Sequence, residues 1–219
     1  MVKESKLELS AKGKKLIKMY EIMANQGYAR VDGVVVTDAF SDFEIRFYRE
    51  FIKPILLDYG IESILDYGAG GSDWEKANFD ENGQSAKSYF NLQDVYKYEP
   101  ARNVDQRQCV DCVVCFDVLE HIYIYDIKRI ICDLFRYAKK IVIINVACYS
   151  AAAKLPNGEN AHVTVRDPHW WKGVLDSISI DYPDVSILLL CSTAWRDTSK
   201  FAIWSANGWN NSEQFVINN

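Results

Sequence analysis

Apolar residues recur along this chain in two alternating periods. Near the start, Leu9, Leu16, Ile17, Tyr20 and Met23 fall at near-helical spacing and stop at Gly27, which predicts an amphipathic helix within residues 3–27. A second helical stripe, Phe43, Phe47, Phe51, Ile55 and Leu56, runs over residues 42–59 and closes at Gly60, with Pro54 expected to kink it or divide it in two. Beyond residue 60, short apolar runs alternate with longer amphipathic ones. Strands are predicted at 63–67, 95–99, 112–116, 141–147, 185–190 and 201–205. The clearest helices are 124–138 and 168–178, the latter with Pro168 in its first turn. Residues 73–93 are polar and contain Asn82-Gly83, which predicts an irregular excursion together with a helix.

Strands joined by crossover helices predict an α/β fold with a mostly parallel sheet and helices on both faces, spanning residues 61–219. Residues 1–60 are expected to form an N-terminal helical cap over it. The interval from Glu99 to Asp111 is too short for a helix and a full strand, so the third strand is expected to be shortened or lost. With 219 residues, 49% of them hydrophobic, the chain has enough apolar surface for one sizeable core.

The formal net charge of -5 and a pI near 5.3 give no positive field to recruit a polyanion, which disfavours nucleic acid as a partner. The longest apolar run, residues 141–153, is interrupted by Asn145 and is shorter than the roughly 20 residues of a membrane span. The lysine-rich first residues lack the apolar stretch of an export signal, so a cytoplasmic protein without a membrane partner is expected. Among six cysteines, Cys109, Cys112 and Cys115 are spaced by three, which invites a metal reading. In a strand, however, residues three apart point to opposite faces, so Cys112 and Cys115 are expected to be small buried hydrophobes.

The densest chemical signal is the run from Ser63 through Leu65-Asp66-Tyr67-Gly68-Ala69-Gly70 to Gly71 and Ser72, where a strand enters a turn with three glycines. Such a turn lets backbone come close to a ligand; it also serves as a plain tight strand-to-helix connection. A dinucleotide fingerprint would need glycine at position 73, which is Asp73, and an acid about 20 residues on. The next strand-end acid is Glu99, beyond that interval, so a nicotinamide oxidoreductase fits the pattern poorly.

The Leu65–Gly70 string resembles motif I of class I S-adenosylmethionine-dependent methyltransferases, which implies a Rossmann-like sheet and S-adenosyl-L-methionine as cofactor. The resemblance implies that Asp66, Gly68, Ala69 and Gly70 cradle the cofactor, with Asp66 ordering the turn or meeting the ammonium. Glu99, at the end of the second strand, matches the acid that binds both ribose hydroxyls. A carboxylate accepts two charge-assisted bonds from a vicinal diol, so the residue type suits the task. Phe116-Asp117-Val118-Leu119-Glu120-His121-Ile122 resembles the segment after the fourth strand in many small-molecule methyltransferases, placing Phe116 and Asp117 beside the cofactor.

Ubiquinone-pathway and small-RNA methyltransferases carry a related Glu-x-x-Glu-His segment there and use it to hold a divalent cation. By that resemblance Asp117, Glu120, His121 and the later His162 form a set for magnesium, manganese or zinc. The alternative is that the glutamate and histidine only hold the loop. His162 or His121 is also a candidate general base for an acceptor hydroxyl. Ligands of open α/β sheets bind beyond the carboxyl ends of the strands, which places the acceptor among Tyr149, His162, Arg166 and Trp171. Trp170 and Trp171 are also suited to core packing. Asp105 is a nominee for the adenine. The expected activity is methylation of a hydroxyl on a small, metabolite- or sugar-like acceptor; a binding protein that keeps the cofactor without turnover is the other reading.

Overall fold

The computed structural model describes residues 8–40, 43–195, 200–204 and 213–215. Helix α1, Ala11–Gln26, is capped by the Ser10 hydroxyl, which accepts the Gly13 amide at 3.0 Å, and it ends at Gly27 with φ +79°. The first residues of the predicted helix lie outside the described residues. An antiparallel hairpin follows, β1 Tyr28–Ala29 and β2 Val35–Val36, turning through Asp32-Gly33 with Gly33 at φ +85°. A 3-10 turn, Glu44–Tyr48, then runs into α2, Arg49–Asp58. The break expected at Pro54 thus falls at Tyr48 instead. Pro54 stays inside α2, where its ring removes only one amide bond from the ladder.

The main sheet is built from β3 Ser63–Tyr67, β4 Asp94–Glu99, β5 Val104–Asp105, β6 Val110–Phe116, β7 Ala138–Ala147, β8 Ser186–Ser192, β9 Lys200–Trp204 and β10 Glu213–Phe215. Its order is β10-β9-β8-β7-β6-β3-β4-β5. The central neighbours β8, β7, β6, β3 and β4 run parallel, while β5, β9 and β10 pair antiparallel at the two edges. The fold is therefore α/β with a mostly parallel sheet. The third strand is shortened to the two residues of β5, which folds back on β4 because so few residues separate Glu99 from β6. The polar excursion after β3 resolves into turns and a short helix, α3 Ala86–Tyr89.

Helices α4, Ile124–Tyr137, and α5, Pro168–Ser179, cover one face: Ile127, Ile131, Leu134, Trp171 and Leu175 pack on Leu65, Val113, Val142 and Leu189. The opposite face carries α2 and α3, with Ile52, Leu56 and Tyr89 packed among Ile64, Cys112, Ile143 and Leu190. Each such aliphatic side chain, taken wholly out of water, contributes roughly 1.5–3 kcal/mol. The alternation of the strand sends Cys112 to the second face and Cys115 to the first, both fully buried. Burial pushes both thiols up, as expected of packing residues and not of thiolate ligands.

Of the N-terminal segment, α2 belongs to the sheet, whereas α1 sits over the loops that follow β6 and β7. There Leu16 and Met23 pack with Tyr123, Leu155 and Ala161. Its start is pinned by the buried Asp126 of α4, which accepts the Ser10 amide at 2.8 Å and the Ser10 hydroxyl at 2.6 Å. Gly13 permits this approach, since a Cβ there would stand 2.3 Å from Asp126 Oδ2. Among the described residues no helix is long and apolar enough to cross a membrane.

Candidate functional site

A cavity of about 750 Å³ opens where the parallel strands end, roofed by α1 and the segment after the hairpin. Its floor begins at the glycine turn. Gly68 leaves β3 with φ +82°, and a Cβ there would lie 2.3 Å from Val118 Cγ2, so glycine is required both by conformation and by space. The amides of Gly68 and Ala69 donate to the Tyr98 carbonyl at 2.7 and 3.1 Å, binding the turn to the end of β4. Asp66 is buried beneath the turn, accepting the Ser72 hydroxyl at 2.6 Å and the Trp74 indole N–H at 2.8 Å. Burial raises its carboxyl, opposed by these two donors and by the Lys97 ammonium. These two bonds brace the turn from below, and Asp66 also lines the cavity.

Glu99 closes β4 and faces the same turn. Its Oε2 accepts the Gly70 amide at 2.8 Å and its Oε1 accepts the Ala101 amide at 2.9 Å. Burial raises this carboxyl too, with those two amides acting against the shift. Each oxygen retains a further lone pair. Gly68, Gly70, Glu99, Phe116 and Asp117 all line the cavity. Phe40, at φ +60°, reaches over the turn from the roof and accepts the Gly71 amide at 2.8 Å.

The second half of the cavity wall carries Asp117, Glu120, His121 and His162, each offering an atom within 4.8 Å of the others. Sequence-distant residues meet here because β6 ends at Phe116 and the loop after β7 returns His162 to it. Asp117 adopts φ +56°, a left-handed conformation unusual for a residue with a side chain. Glu120 is completely buried; its Oε1 accepts the Ala147 amide at 2.6 Å, while its buried Oε2 has no donor among the described residues and faces the Asp117 carboxyl. Burial and the facing Asp117 carboxylate raise the Glu120 carboxyl.

Both histidines are oriented by backbone carbonyls. His121 Nδ1 lies 3.0 Å from the Ala161 oxygen, and His162 Nδ1 lies 2.5 Å from the Tyr149 oxygen. A carbonyl only accepts, so His162 Nδ1 donates to Tyr149 and its Nε2 is the ring atom left to the cluster. His121 Nδ1 meets both the Ala161 carbonyl and the Tyr20 hydroxyl, and as donor to these it leaves its Nε2 likewise. Burial, and then the neighbouring His162, lower His121 to about 4, which keeps it neutral at physiological pH. The oxygens of two carboxyl groups and two imidazoles form a donor set that fits a hard or borderline divalent cation.

Other expected residues are placed differently. Tyr149 lines the cavity, packing its ring at 5.6 Å from that of His162. Trp171 does not reach the cavity: it is fully buried in the core between α5 and the sheet, the packing role open to it. Arg166 is exposed and lines a separate outer cleft of about 360 Å³ that touches the main cavity only through His162. Asp105 is directed at Arg107, at 2.7 and 2.9 Å, and is not among the residues of the cavity wall.

Three aromatic residues of the site went unread in the sequence. Tyr20 of α1 places its hydroxyl 2.6 Å from His121 Nδ1 and 3.1 Å from the Ala161 oxygen. Phe40 covers the glycine turn, and Tyr48 meets Asn145 and Ser192 on the cavity floor. Tyr20 lies on the first apolar stripe and reads as core, Phe40 and Tyr48 fall on neither stripe, and only Asn145, a polar break in an apolar strand, gave a signal.

No protein-family model matches this chain, and neither a curated protein nor a solved structure matches it.

Proposed function

We propose that this chain is a cytoplasmic S-adenosylmethionine-dependent methyltransferase with a Rossmann-like fold, acting on a hydroxyl of a small molecule. One observation carries the reading: the Glu99 carboxylate and the glycine turn of Gly68 to Gly70 are hydrogen-bonded to each other on the wall of a cavity that also holds Asp117, His121 and His162. When bound, the cofactor would supply a sulfonium-activated methyl group, with the neutral thioether of S-adenosylhomocysteine as leaving group and the acceptor's proton passing to a histidine or to water.

The chain's own residues would mainly bind and orient. Glu99 would accept the ribose hydroxyls with the lone pairs its backbone bonds leave over. Gly68 and Gly70 would admit the cofactor to the backbone, and Asp66 would keep their turn in shape from below. Phe116 and Asp117 would flank the methyl-donating end. In-line displacement needs little covalent assistance, so holding acceptor and donor in line would supply much of the rate.

Asp117, Glu120, His121 and His162 would hold magnesium, manganese or zinc, and such an ion would lower the pKa of the acceptor hydroxyl and fix its oxygen. The buried Glu120 carboxyl, facing that of Asp117 with no donor at its Oε2 among the described residues, supports this reading over a purely structural role for the segment. Should His162 or His121 not ligate, its Nε2 lone pair would accept the hydroxyl proton directly.

A thermal melt tests the assignment. S-adenosylhomocysteine at about a hundred times its dissociation constant would add roughly 2.7 kcal/mol of stability and raise Tm by several degrees. NAD at the same concentration is expected to leave Tm unchanged; the reverse preference would favour an oxidoreductase.

A further inference from the structure

The cavity continues past the glycine turn and the carboxylate–histidine cluster to the ends of β7 and β8, where three buried polar side chains meet. Asn145, 4% exposed, donates from Nδ2 to the Tyr48 hydroxyl at 3.0 Å, with longer contacts to Ser192 Oγ at 3.4 Å and the Leu190 oxygen at 3.5 Å. The Tyr48 and Ser192 hydroxyls are themselves 3.0 Å apart. All three residues line the cavity. A carboxamide and two hydroxyls beside the fully buried apolar run 141–144 are expensive to bury, and they offer a ligand neutral donors and acceptors.

The surroundings narrow the ligand further. The Tyr48 and Phe116 rings stand 5.7 Å apart beside this floor, and Tyr149 stands on the cavity wall with them, a lining suited to the faces of a ring. The Asp117 amide donates to the Asn145 carbonyl at 3.2 Å, so the floor abuts the cluster directly. Around the cavity stand the carboxylates of Asp38, Glu44, Asp66, Glu99 and Asp117, while Arg30, the one cationic Lys or Arg side chain among its described lining residues, is paired with Asp32 at 3.3 Å. Even with a divalent cation held by Asp117, Glu120, His121 and His162, carboxylates outnumber cationic groups among the described lining residues, so an anionic substituent on this floor would meet like charge.

Resting on the methyltransferase reading, we propose that Asn145, Tyr48 and Ser192 form the acceptor subsite, and that it selects an uncharged ring compound bearing a hydroxyl for methylation and a second polar group for Asn145 and Tyr48. The ring lies against the aromatic wall, its second polar group on the neutral floor, and its reacting hydroxyl toward Asp117. The same charge pattern rejects phosphorylated and carboxylated analogues of the same shape.

The test is ligand-observed NMR on the full chain in magnesium buffer saturated with S-adenosylhomocysteine. Catechol and myo-inositol serve as uncharged probes, 3,4-dihydroxybenzoate and inositol 1-phosphate as their anionic counterparts. At least one uncharged probe is expected to bind about tenfold or more tightly than its anionic counterpart. Tyr48→Phe, which keeps the ring and its packing, and Asn145→Ala are each expected to weaken that binding about five- to tenfold, the loss of one buried hydrogen bond. The affinity for S-adenosylhomocysteine should stay within about twofold of wild type, because none of the three side chains is assigned to the cofactor and Tyr48→Phe keeps the ring that packs on Phe116.

Equal or tighter binding of the anionic probes, binding of none of the four, or an undiminished signal in a folded Tyr48→Phe variant would overturn the subsite. The methyltransferase reading fails separately, through absence of S-adenosylhomocysteine binding in the wild type. In that case an uncharged-ring preference lost in Tyr48→Phe would still uphold the binding site.

Discussion

The Tyr20 hydroxyl lies 2.6 Å from His121 Nδ1, joining the roof of the cavity to the carboxylate–histidine cluster in its wall. The same hydroxyl reaches the Ala161 carbonyl at 3.1 Å, so helix α1 and the loop that presents His162 are tied at one point. Burial and the charges of Glu120 and Asp117 raise the phenol well above its ordinary value, so it remains a neutral hydroxyl. Tyr20 therefore serves as a positioning residue for His121.

Removing that hydroxyl should loosen the ligand set without disturbing the cofactor side. Tyr20→Phe is expected to weaken Mn2+ binding by about tenfold, the lower end of the effect of such outer partners. Calorimetry with Mn2+ alone measures it, and S-adenosylhomocysteine affinity serves as the control. An unchanged Mn2+ affinity would dissociate α1 from the cluster.

Glu120 gives the cluster a pH signature. Its folded-state carboxyl is raised, so its contribution to stability is present at pH below the unfolded value of about 4.3 and is lost as pH rises through the folded value. Above that value the metal-free protein holds a buried, half-partnered anion. Glu120→Gln keeps an acceptor for the Ala147 amide and removes the charge. At pH 8 the metal-stripped variant should gain about 1–3 kcal/mol, or several degrees in Tm, and lose the further stabilisation that Mn2+ gives the wild type. A variant that melts lower than wild type at pH 8, or still responds to Mn2+, would argue against the cation site.

At the glycine turn the constraint is steric. Gly68→Ala would drive a methyl into Val118 at a positive φ, and it should cost about 1–3 kcal/mol of stability, read from denaturant midpoints. Gly33→Ala is the informative control. It shares the positive φ, +85°, but meets no atom within 4 Å, so its smaller loss measures the conformational part alone.

The sheet and its two helical faces were legible in the sequence because each strand is a short apolar run and each long helix is amphipathic. β3 falls on the predicted residues, and α4 differs from its prediction by one. The hairpin Tyr28–Val36 was not, since its strands are two residues long and carry no period; Asp32-Gly33 between valines was its only mark. Pro54 suggested a break, yet the apolar contacts of Ile52 and Leu56 hold α2 through it. Of the site, Glu99 and the glycine turn were readable because they are local motifs at strand ends. Tyr20, Phe40 and Tyr48 were not, because only the tertiary fold tells an aromatic residue aimed into a cavity from one packed in the core.

That distinction separates Trp171 from Arg166 as well. Trp171→Ala should cost about 3–5 kcal/mol through the cavity it opens in the core, whereas Arg166→Ala, at an exposed position, should stay within about 0.5 kcal/mol. Urea unfolding of the two variants decides whether both have the roles their positions assign.

The central claim rests on Glu99 and the turn it faces, and calorimetric titration with S-adenosylhomocysteine tests it most directly. Wild-type protein is expected to bind in the micromolar range, and Glu99→Ala to lose about 2–4 kcal/mol of that affinity, two charge-assisted bonds at roughly 1.5–3 kcal/mol each less the water that replaces them. No binding by the wild type, equal binding by Glu99→Ala, or tighter binding of NAD would contradict the account.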